Sequence, residues 1–239
     1  MADKELFKEV YRHSLAHILA KAVIELYGAD TQYAIGPQIE DGAYYDFVLP
    51  EGKKITEDDY KTIEDKMREI IKRREDWTRK VVTKAEALEI FKDQKFKTEL
   101  IVDLPEDETI TLYYTGEDYV DLCRGPHVDN SQELMNVSFK IHSNSMAYWR
   151  GDEKRDHLQR VYFYAFPNKD ELKNHLNMIK EARERDHKKI GAELDMFMFS
   201  ETAPGMPYWL PRGWEFYQTL LKYSREVQAQ HEYSEISAP

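Results

Sequence analysis

One cysteine, Cys123, stands in 239 residues. That excludes an intrachain disulfide framework and suits a reducing compartment. Glycine and proline are sparse, at ten and nine residues, too few for a linker or low-complexity chain. No run approaches the roughly 20 consecutive apolar residues that cross a bilayer. The opening Met1-Ala2-Asp3-Lys4-Glu5 carries no hydrophobic signal core. Positive charge is also short: 34 Lys and Arg face 45 Asp and Glu, a net charge of −11. This excludes a wholly basic nucleic-acid coat but leaves room for a local basic patch. Together these absences predict a soluble cytoplasmic protein with no membrane partner. What is present is 41% apolar and 13% aromatic residues, enough for a core despite the high charge. The length predicts one or two domains.

Apolar spacing predicts a helix over 3–27, with Phe7, Tyr11, Leu15, Ile18, Ala22 and Leu26 on one face. Gly28 is its expected stop. Strand signals follow at 33–35 and 43–48, with a hairpin at Asp41-Gly42. A second helix is predicted over 56–75, opening on a capping-box-like Thr56 and Asp59. Within 66–80 seven cations face three acids, a run whose commonest meaning is a solvated helix face. A short helix over 84–95 precedes strand-like runs from 98 to 165. A heavily charged helix over 169–193 then reads as a bridge between two units. The end, 194–239, carries Pro204-Gly205 and Pro211-Arg212-Gly213 turns and a helix near 214–230. Mixed helices and strands without a βαβ rhythm predict an α+β fold.

Two pairs of chemically active residues stand out. His13 and His17 fall one turn apart on the first helix, away from its main apolar stripe and beside Leu6, Val10, Ala20 and Ile24. They are expected to line an enclosed, mostly non-polar pocket, although HxxxH alone is more often a packed or surface pair. Cys123 and His127 flank an Arg124-Gly125-Pro126 turn that can bring both side chains to one point. Three histidines and a cysteine make a sensible tetrahedral zinc set. A free cysteine taken alone is usually a small core residue.

These segments, His13-Ser14-Leu15-Ala16-His17 and Tyr119-Val120-Asp121-Leu122-Cys123-Arg124-Gly125-Pro126-His127, resemble the signatures of the editing domain of threonyl-tRNA synthetases. Ala34-Ile35-Gly36-Pro37 and Gly42-Ala43-Tyr44-Tyr45-Asp46 match in the same order. So do Ala147-Tyr148-Trp149-Arg150-Gly151-Asp152 and Leu158-Gln159-Arg160-Val161-Tyr162. The resemblance covers nearly the whole chain. Alanyl-tRNA synthetases share the two pairs, but there the domain follows the synthetic core. Here it precedes a 204–213 segment similar to the opening of the threonyl enzymes' class II domain. The final helix, through Tyr233-Ser234-Glu235-Ile236-Ser237-Ala238-Pro239, resembles class II motif 1. The chain departs from the family at His142-Ser143-Asn144-Ser145-Met146, where small residues are usual, so pocket shape or nucleotide contacts are expected to differ there. Motifs 2 and 3, the synthetic-site zinc ligands and a small ubiquitin-like domain are expected to be absent.

The resemblance implies an editing domain over 1–168, a linker helix over 169–193 and an incomplete class II catalytic domain over 194–239. It implies hydrolysis of serine mischarged onto tRNA(Thr). Serine keeps the hydroxyl of threonine and lacks one methyl, worth only ~1–3 kcal/mol of discrimination in a pocket. In that reading His13 positions or deprotonates water, and Lys97 stabilises charge or holds a second water. Asp121 meets the substrate ammonium, while Tyr44 and Cys123 shape the pocket. His17 and His127 hold the terminal adenosine or waters. Arg150 and the basic 66–80 helix contact phosphate, and Trp149 either stacks on a base or serves as a core or hinge aromatic.

The threonyl family is not generally regarded as needing zinc for editing. A water-mediated mechanism that requires no metal is therefore expected, with zinc at His13, His17, Cys123 and His127 left open. ATP, magnesium and a catalytic-site zinc belong to a complete enzyme, as does a tight dimer; a monomer or weak dimer is expected for this chain. The rival readings are a zinc-dependent, alanyl-type deacylase and a non-catalytic module for tRNA binding or dimerisation.

Overall fold

The computed structural model describes residues 6–236. Positions 3–5 of the first predicted helix, and Ser237, Ala238 and Pro239 of the motif 1 resemblance, lie outside them. The chain forms two compact units, Met1–Lys173 and Asn174–Pro239.

In the first unit, π-helical turns over Phe7–Arg12 run directly into helix α1, His13–Tyr27. Every residue from Ser14 to Val23 is buried. A helix buried all round is a core element rather than a surface amphipath. The chain then lays down β1 (Gln32–Tyr33), β2 (Gln38–Ile39) and β3 (Gly42–Val48). Helix α2, Tyr60–Lys72, packs Ile63, Met67, Ile70 and Ile71 into the same core as α1. The predicted capping box is present at its entrance: the Thr56 N–H donates to Asp59 Oδ2 at 2.7 Å and the Thr56 hydroxyl at 2.9 Å.

Next come β4 (Trp77–Val82), helices α3 (Lys84–Ile90) and α4 (Lys95–Asp103), and strands β5 (Ile110–Thr115) and β6 (Tyr119–Leu122). The long strands β7 (Ser138–Tyr148) and β8 (His157–Phe166) complete the strands of this unit. One antiparallel sheet has the order β1-β3-β8-β7, with β2 also beside β3; the other is β4-β5-β6. Alternation sends Ala43, Tyr45 and Phe47 of β3 and Val161, Phe163 and Ala165 of β8 to the core.

Helix α5, Lys169–Glu184, leads out of the first unit. The second unit continues with α6 (His187–Glu193), a β9–β10 hairpin (Phe197–Phe199 with Pro207–Trp209) and α7 (Pro211–Gln230). Phe199, Trp209, Trp214 and Tyr217 of this unit are all exposed.

Mixed α+β architecture is as expected, but several predicted elements are redrawn. The second helix stops at Lys72, where Arg74 takes a left-handed φ of +59°. The basic 66–80 segment is therefore half helix and half strand, because Trp77–Val82 pairs with β5. Arg73 and Lys66 are also spent locally. Arg73 binds Glu25 at 2.6 and 2.8 Å and Glu69 at 2.7 Å, and Lys66 meets Glu69 at 2.8 Å. The 98–165 stretch is not wholly strand-like, since α4 occupies its start. The charged 169–193 helix is two helices, because Asp186 caps a new one by accepting from Lys188 N–H at 2.8 Å.

Ile18 is fully buried on the central helix, where little can close around a void. Ile18→Ala is expected to cost about 2–5 kcal/mol of stability, read as a lowered midpoint in urea unfolding followed by circular dichroism.

Candidate functional site

Helix α1 carries His13 and His17 into the core one turn apart, their ring centroids 5.2 Å from each other. The second pair comes from the end of β6. Cys123 is pinned to β5 by its N–H donating to the Thr111 carbonyl at 3.1 Å. The Thr111 hydroxyl donates back to the Cys123 carbonyl at 2.6 Å. The chain then folds over Gly125, whose φ of +74° and closeness to Tyr113 leave no room for a side chain. A Cβ there would lie 2.3 Å from the Tyr113 hydroxyl.

That turn returns His127 to Cys123. Cys123 Sγ lies 3.2 Å from His127 Nε2 and 3.2 Å from His13 Nε2, and it accepts from the Gly125 N–H at 3.2 Å. One ligand atom from each of His13, His17, Cys123 and His127 falls within 4.8 Å of all the others. Two imidazoles are also held from behind: His127 Nδ1 meets the Ser14 hydroxyl at 3.1 Å, and His13 hydrogen-bonds the backbone of Pro126. Such outer contacts orient rings as metal sites require. The donor types and their convergence fit a tetrahedral ion such as zinc.

Beside the tetrad lies a buried charge cluster. The Asp121 and Lys97 side chains, 2% and 1% exposed, form an ion pair. Tyr45 donates its hydroxyl to Asp121 Oδ2, as does Tyr119 at 3.0 Å, and His17 Nε2 lies 3.3 Å from the same oxygen. Lys97 also donates to the Tyr45 hydroxyl at 3.2 Å. The Tyr45 ring fits because residue 36 is glycine; a Cβ there would sit 2.1 Å from the ring.

Burial sets the charge states. It pushes His13, His17 and His127 below the usual histidine range, with mutual repulsion adding to the effect at His17 and His127. All three rings are therefore neutral near pH 7. Burial, followed by the Asp121 carboxylate, pushes the Cys123 thiol up to about 12, so the protein alone holds it as a thiol.

The structure brings together His13, His17, Lys97, Asp121, Cys123 and His127 and leaves out two expected residues. Tyr44 projects from the other face of β3, where the Arg160 guanidinium lies 4.0 Å from its ring centroid and Tyr162 packs at 5.4 Å. Tyr45 occupies the place foreseen for it. Arg150 pairs with Asp103 in a separate recess shared with Glu99 and Arg155.

Three further expectations meet different surroundings. Trp149 is 3% exposed and donates its indole N–H to Glu99 at 2.8 Å, so it is a core residue and offers no stacking face. Asp121, foreseen as an ammonium ligand, already has both oxygens engaged. His17, foreseen near adenosine, is 2% exposed between Trp77 and Tyr119. The His142–Met146 segment lies within β7, where Asn144 donates to the Ile55 carbonyl at 2.6 Å.

Sequence reasoning missed Tyr45, Tyr119 and Ser14. The alternation of Asp46 with Phe47 carried the signal for Tyr45: a strand that sets Asp46 on one face sets Tyr45 on the other, with Phe47. Ser14 had no such signal.

Comparison with known proteins finds likeness to tRNA synthetases. The profile of the threonyl and alanyl tRNA synthetase second additional domain matches residues 110–162, which include β5, β6, Cys123 and His127. This part of the first unit is thus similar to that domain. Along its whole length the chain is similar to threonine–tRNA ligases. It is 49% identical over 239 residues to that of Petrotoga mobilis, covering 99% of this chain and 37% of the relative. It is 48% identical to that of Thermotoga neapolitana, covering 97% and 36%, and 45% identical to that of Bartonella bacilliformis, covering 97% and 35%. The resemblance to threonyl-tRNA synthetases is borne out, and the chain spans little more than a third of the length of these relatives.

Removing Lys97 strands a buried carboxylate, which typically costs about 3–5 kcal/mol. Lys97→Met is expected to fall in that range by urea unfolding. Adding Asp121→Asn to it should recover part of the loss, because the orphaned charge disappears.

Proposed function

We propose that this chain hydrolyses the ester of serine mischarged onto tRNA(Thr), the post-transfer editing step of a threonyl-tRNA synthetase. The observation that carries the reading is the meeting of His13, Cys123 and His127, all half-buried, beside the sealed Lys97–Asp121 pair. The partner is the acceptor end of tRNA(Thr), in the cytoplasm. The remainder of a synthetase packs on the exposed aromatic residues of the second unit, with Lys169–Glu193 as its linker and 194–239 as the start of a class II domain. In that assembly ATP and magnesium serve aminoacylation and the whole is a dimer.

Ester hydrolysis requires water to attack the carbonyl carbon, a base to take its proton, and positive charge near the developing oxyanion. His13 is neutral and half-buried, so its imidazole orients the water and accepts its proton. His127, fixed by Ser14, holds the opposite side of the bound ester. Lys97 supplies the positive field, held in place by Asp121 and by its bond to the Tyr45 hydroxyl. Asp121 anchors Lys97, Tyr45, Tyr119 and His17 in place. A cavity of about 200 Å³ against Cys123 gives the thiol a wall-forming role. If zinc binds the tetrad, it supplies Lewis acidity at the same place.

The test is deacylation of seryl- and threonyl-tRNA(Thr) by the intact chain. Seryl-tRNA(Thr) is expected to be cleaved at least 10-fold faster, and His13→Ala and Cys123→Ala should each lower the rate 10²-fold or more. Equal cleavage of both substrates, or indifference to both substitutions, rejects the assignment. No cleavage at high protein concentration favours a binding-only module. Activity lost on chelation and restored by zinc favours the alanyl-type mechanism, whereas activity spared by chelation supports the water-based one.

Tyr45→Phe removes the hydroxyl between Lys97 and Asp121, and kcat is expected to drop about 10-fold or more. Tyr44→Phe, on the far face of β3, should leave single-turnover kinetics near wild type.

A further inference from the structure

The direction of the hydrogen bonds in the histidine–cysteine cluster can be followed from one hydroxyl. Ser14 is fully buried on α1. Its oxygen accepts the Val128 N–H at 3.1 Å. A serine hydroxyl also carries one hydrogen to donate. Among the described residues the acceptor for it is His127 Nδ1, at 3.1 Å. A buried hydroxyl hydrogen without an acceptor is costly, so Ser14 donates and Nδ1 is the bare nitrogen. The His127 ring packs against Trp77 and Tyr113, with centroids 4.6 and 4.5 Å away, which opposes a flip that would exchange its nitrogens.

His127 is a neutral ring with one N–H. That N–H is therefore on Nε2, 3.2 Å from Cys123 Sγ. The sulfur then accepts twice, from His127 and from the Gly125 N–H at 3.2 Å, and its own S–H turns to His13 Nε2 at 3.2 Å. The far end of the chain of bonds agrees. His13 hydrogen-bonds the backbone of Pro126, and a proline backbone offers only a carbonyl. The one N–H of the His13 ring is spent there, which leaves Nε2 bare to take the S–H. The reverse order fails at both ends: it strands the Ser14 hydrogen and takes from His13 the N–H that Pro126 accepts.

We propose that Ser14 is the positioning residue that sets the proton order of this cluster, from Ser14 O–H to His127, from His127 N–H to Cys123, and from Cys123 S–H to His13. The order makes His127 a donor and keeps His13 Nε2 an acceptor. Its consequence for the reaction rests on the editing reading, whereas the order itself does not. In ester hydrolysis, water displaces the weakly donating thiol at His13 Nε2. It gives that nitrogen a proton as its oxygen bonds to the carbonyl carbon. The bond from that carbon to the ribose oxygen then breaks, and the ribose oxygen takes the proton from His13. His127, already protonated at Nε2, does not compete for it.

The test is two-bond proton–nitrogen NMR on the full chain carrying isotopically labelled histidine, with chelator present, beside steady-state deacylation of seryl-tRNA(Thr). The wild-type spectrum is expected to show His127 protonated at Nε2 and His13 protonated at Nδ1. Ser14→Ala should move His127 toward the opposite tautomer, with kcat about 10-fold lower and KM unchanged. Circular dichroism checks that the variant remains folded, and the ring resonances report where the proton sits, which a loss of packing alone does not move. His127 protonated at Nδ1 in the wild type, or an unaltered His127 tautomer in Ser14→Ala, overturns the proton order. A shifted tautomer with unchanged kcat overturns the positioning role. A wild-type chain that cleaves no seryl-tRNA(Thr) rejects the editing reading instead, and the spectra still decide the order.

Discussion

The Asp121 carboxylate, 2% exposed, is the fixed point from which the rest of the site is built. A bare carboxylate at that depth would be strongly disfavoured, so it must be surrounded by donors or a cation. Its partners come from four elements: Lys97 from α4, Tyr45 from β3, Tyr119 from β6 and His17 from α1. Satisfying one charge therefore fixes the relative position of both sheets and two helices. The same constraint sets the orientation of His17, and through α1 the height at which His13 meets Cys123.

Burial of α1 has a second consequence. A helix enclosed on every side delivers its histidines into a region where ionised imidazole is disfavoured. Three neutral rings and a protonated thiol can accept a proton or donate lone pairs, but they do not offer positive charge. The positive charge of the site comes from Lys97, paired with Asp121. The division of labour is physical: neutral acceptors on one side, a single neutralised cation on the other, with the Tyr45 hydroxyl between them.

Much of this was legible in the sequence, and the limits have physical causes. The two pairs of ligand-type residues were readable because helical spacing and a turn each place side chains locally, and their motif context singled out Lys97 and Asp121. Tyr44 was chosen over Tyr45 although strand alternation argued the other way, since Asp46 must share a face with Tyr44. The basic segment misled because charge counting along the chain cannot see Glu25, brought to Arg73 by the packing of α1 on α2. β7 escaped notice because Ser143, Asn144 and Ser145 have little intrinsic strand preference, and pairing with β8 supplies what propensity does not. The break at Asp186 rests on a capping carboxylate that an unbroken charge pattern hides. α+β character survived these errors because it depends on the number and kind of elements, not on their boundaries.

On the editing reading, the chain has one methyl group by which to separate serine from threonine, and about 1–3 kcal/mol with which to do it. A soft pocket would dissipate that difference by yielding a few tenths of an ångström. The walls here have little freedom to yield. Gly125 is in contact with Tyr113, and Gly36 with the Tyr45 ring, closely enough that neither tolerates an added carbon. Tyr45 is tied to Asp121, and α1 cannot shift without opening the core it fills. Close-packed interiors resist compression, and a polar network with its partners in place resists rearrangement. On that reading, stiffness in the Tyr45–Asp121–Lys97 network behind the site lets a small difference in volume become a difference in binding. The same stiffness explains why the charge is so completely sealed: a carboxylate free to reach for the substrate ammonium would also be free to let the wall move.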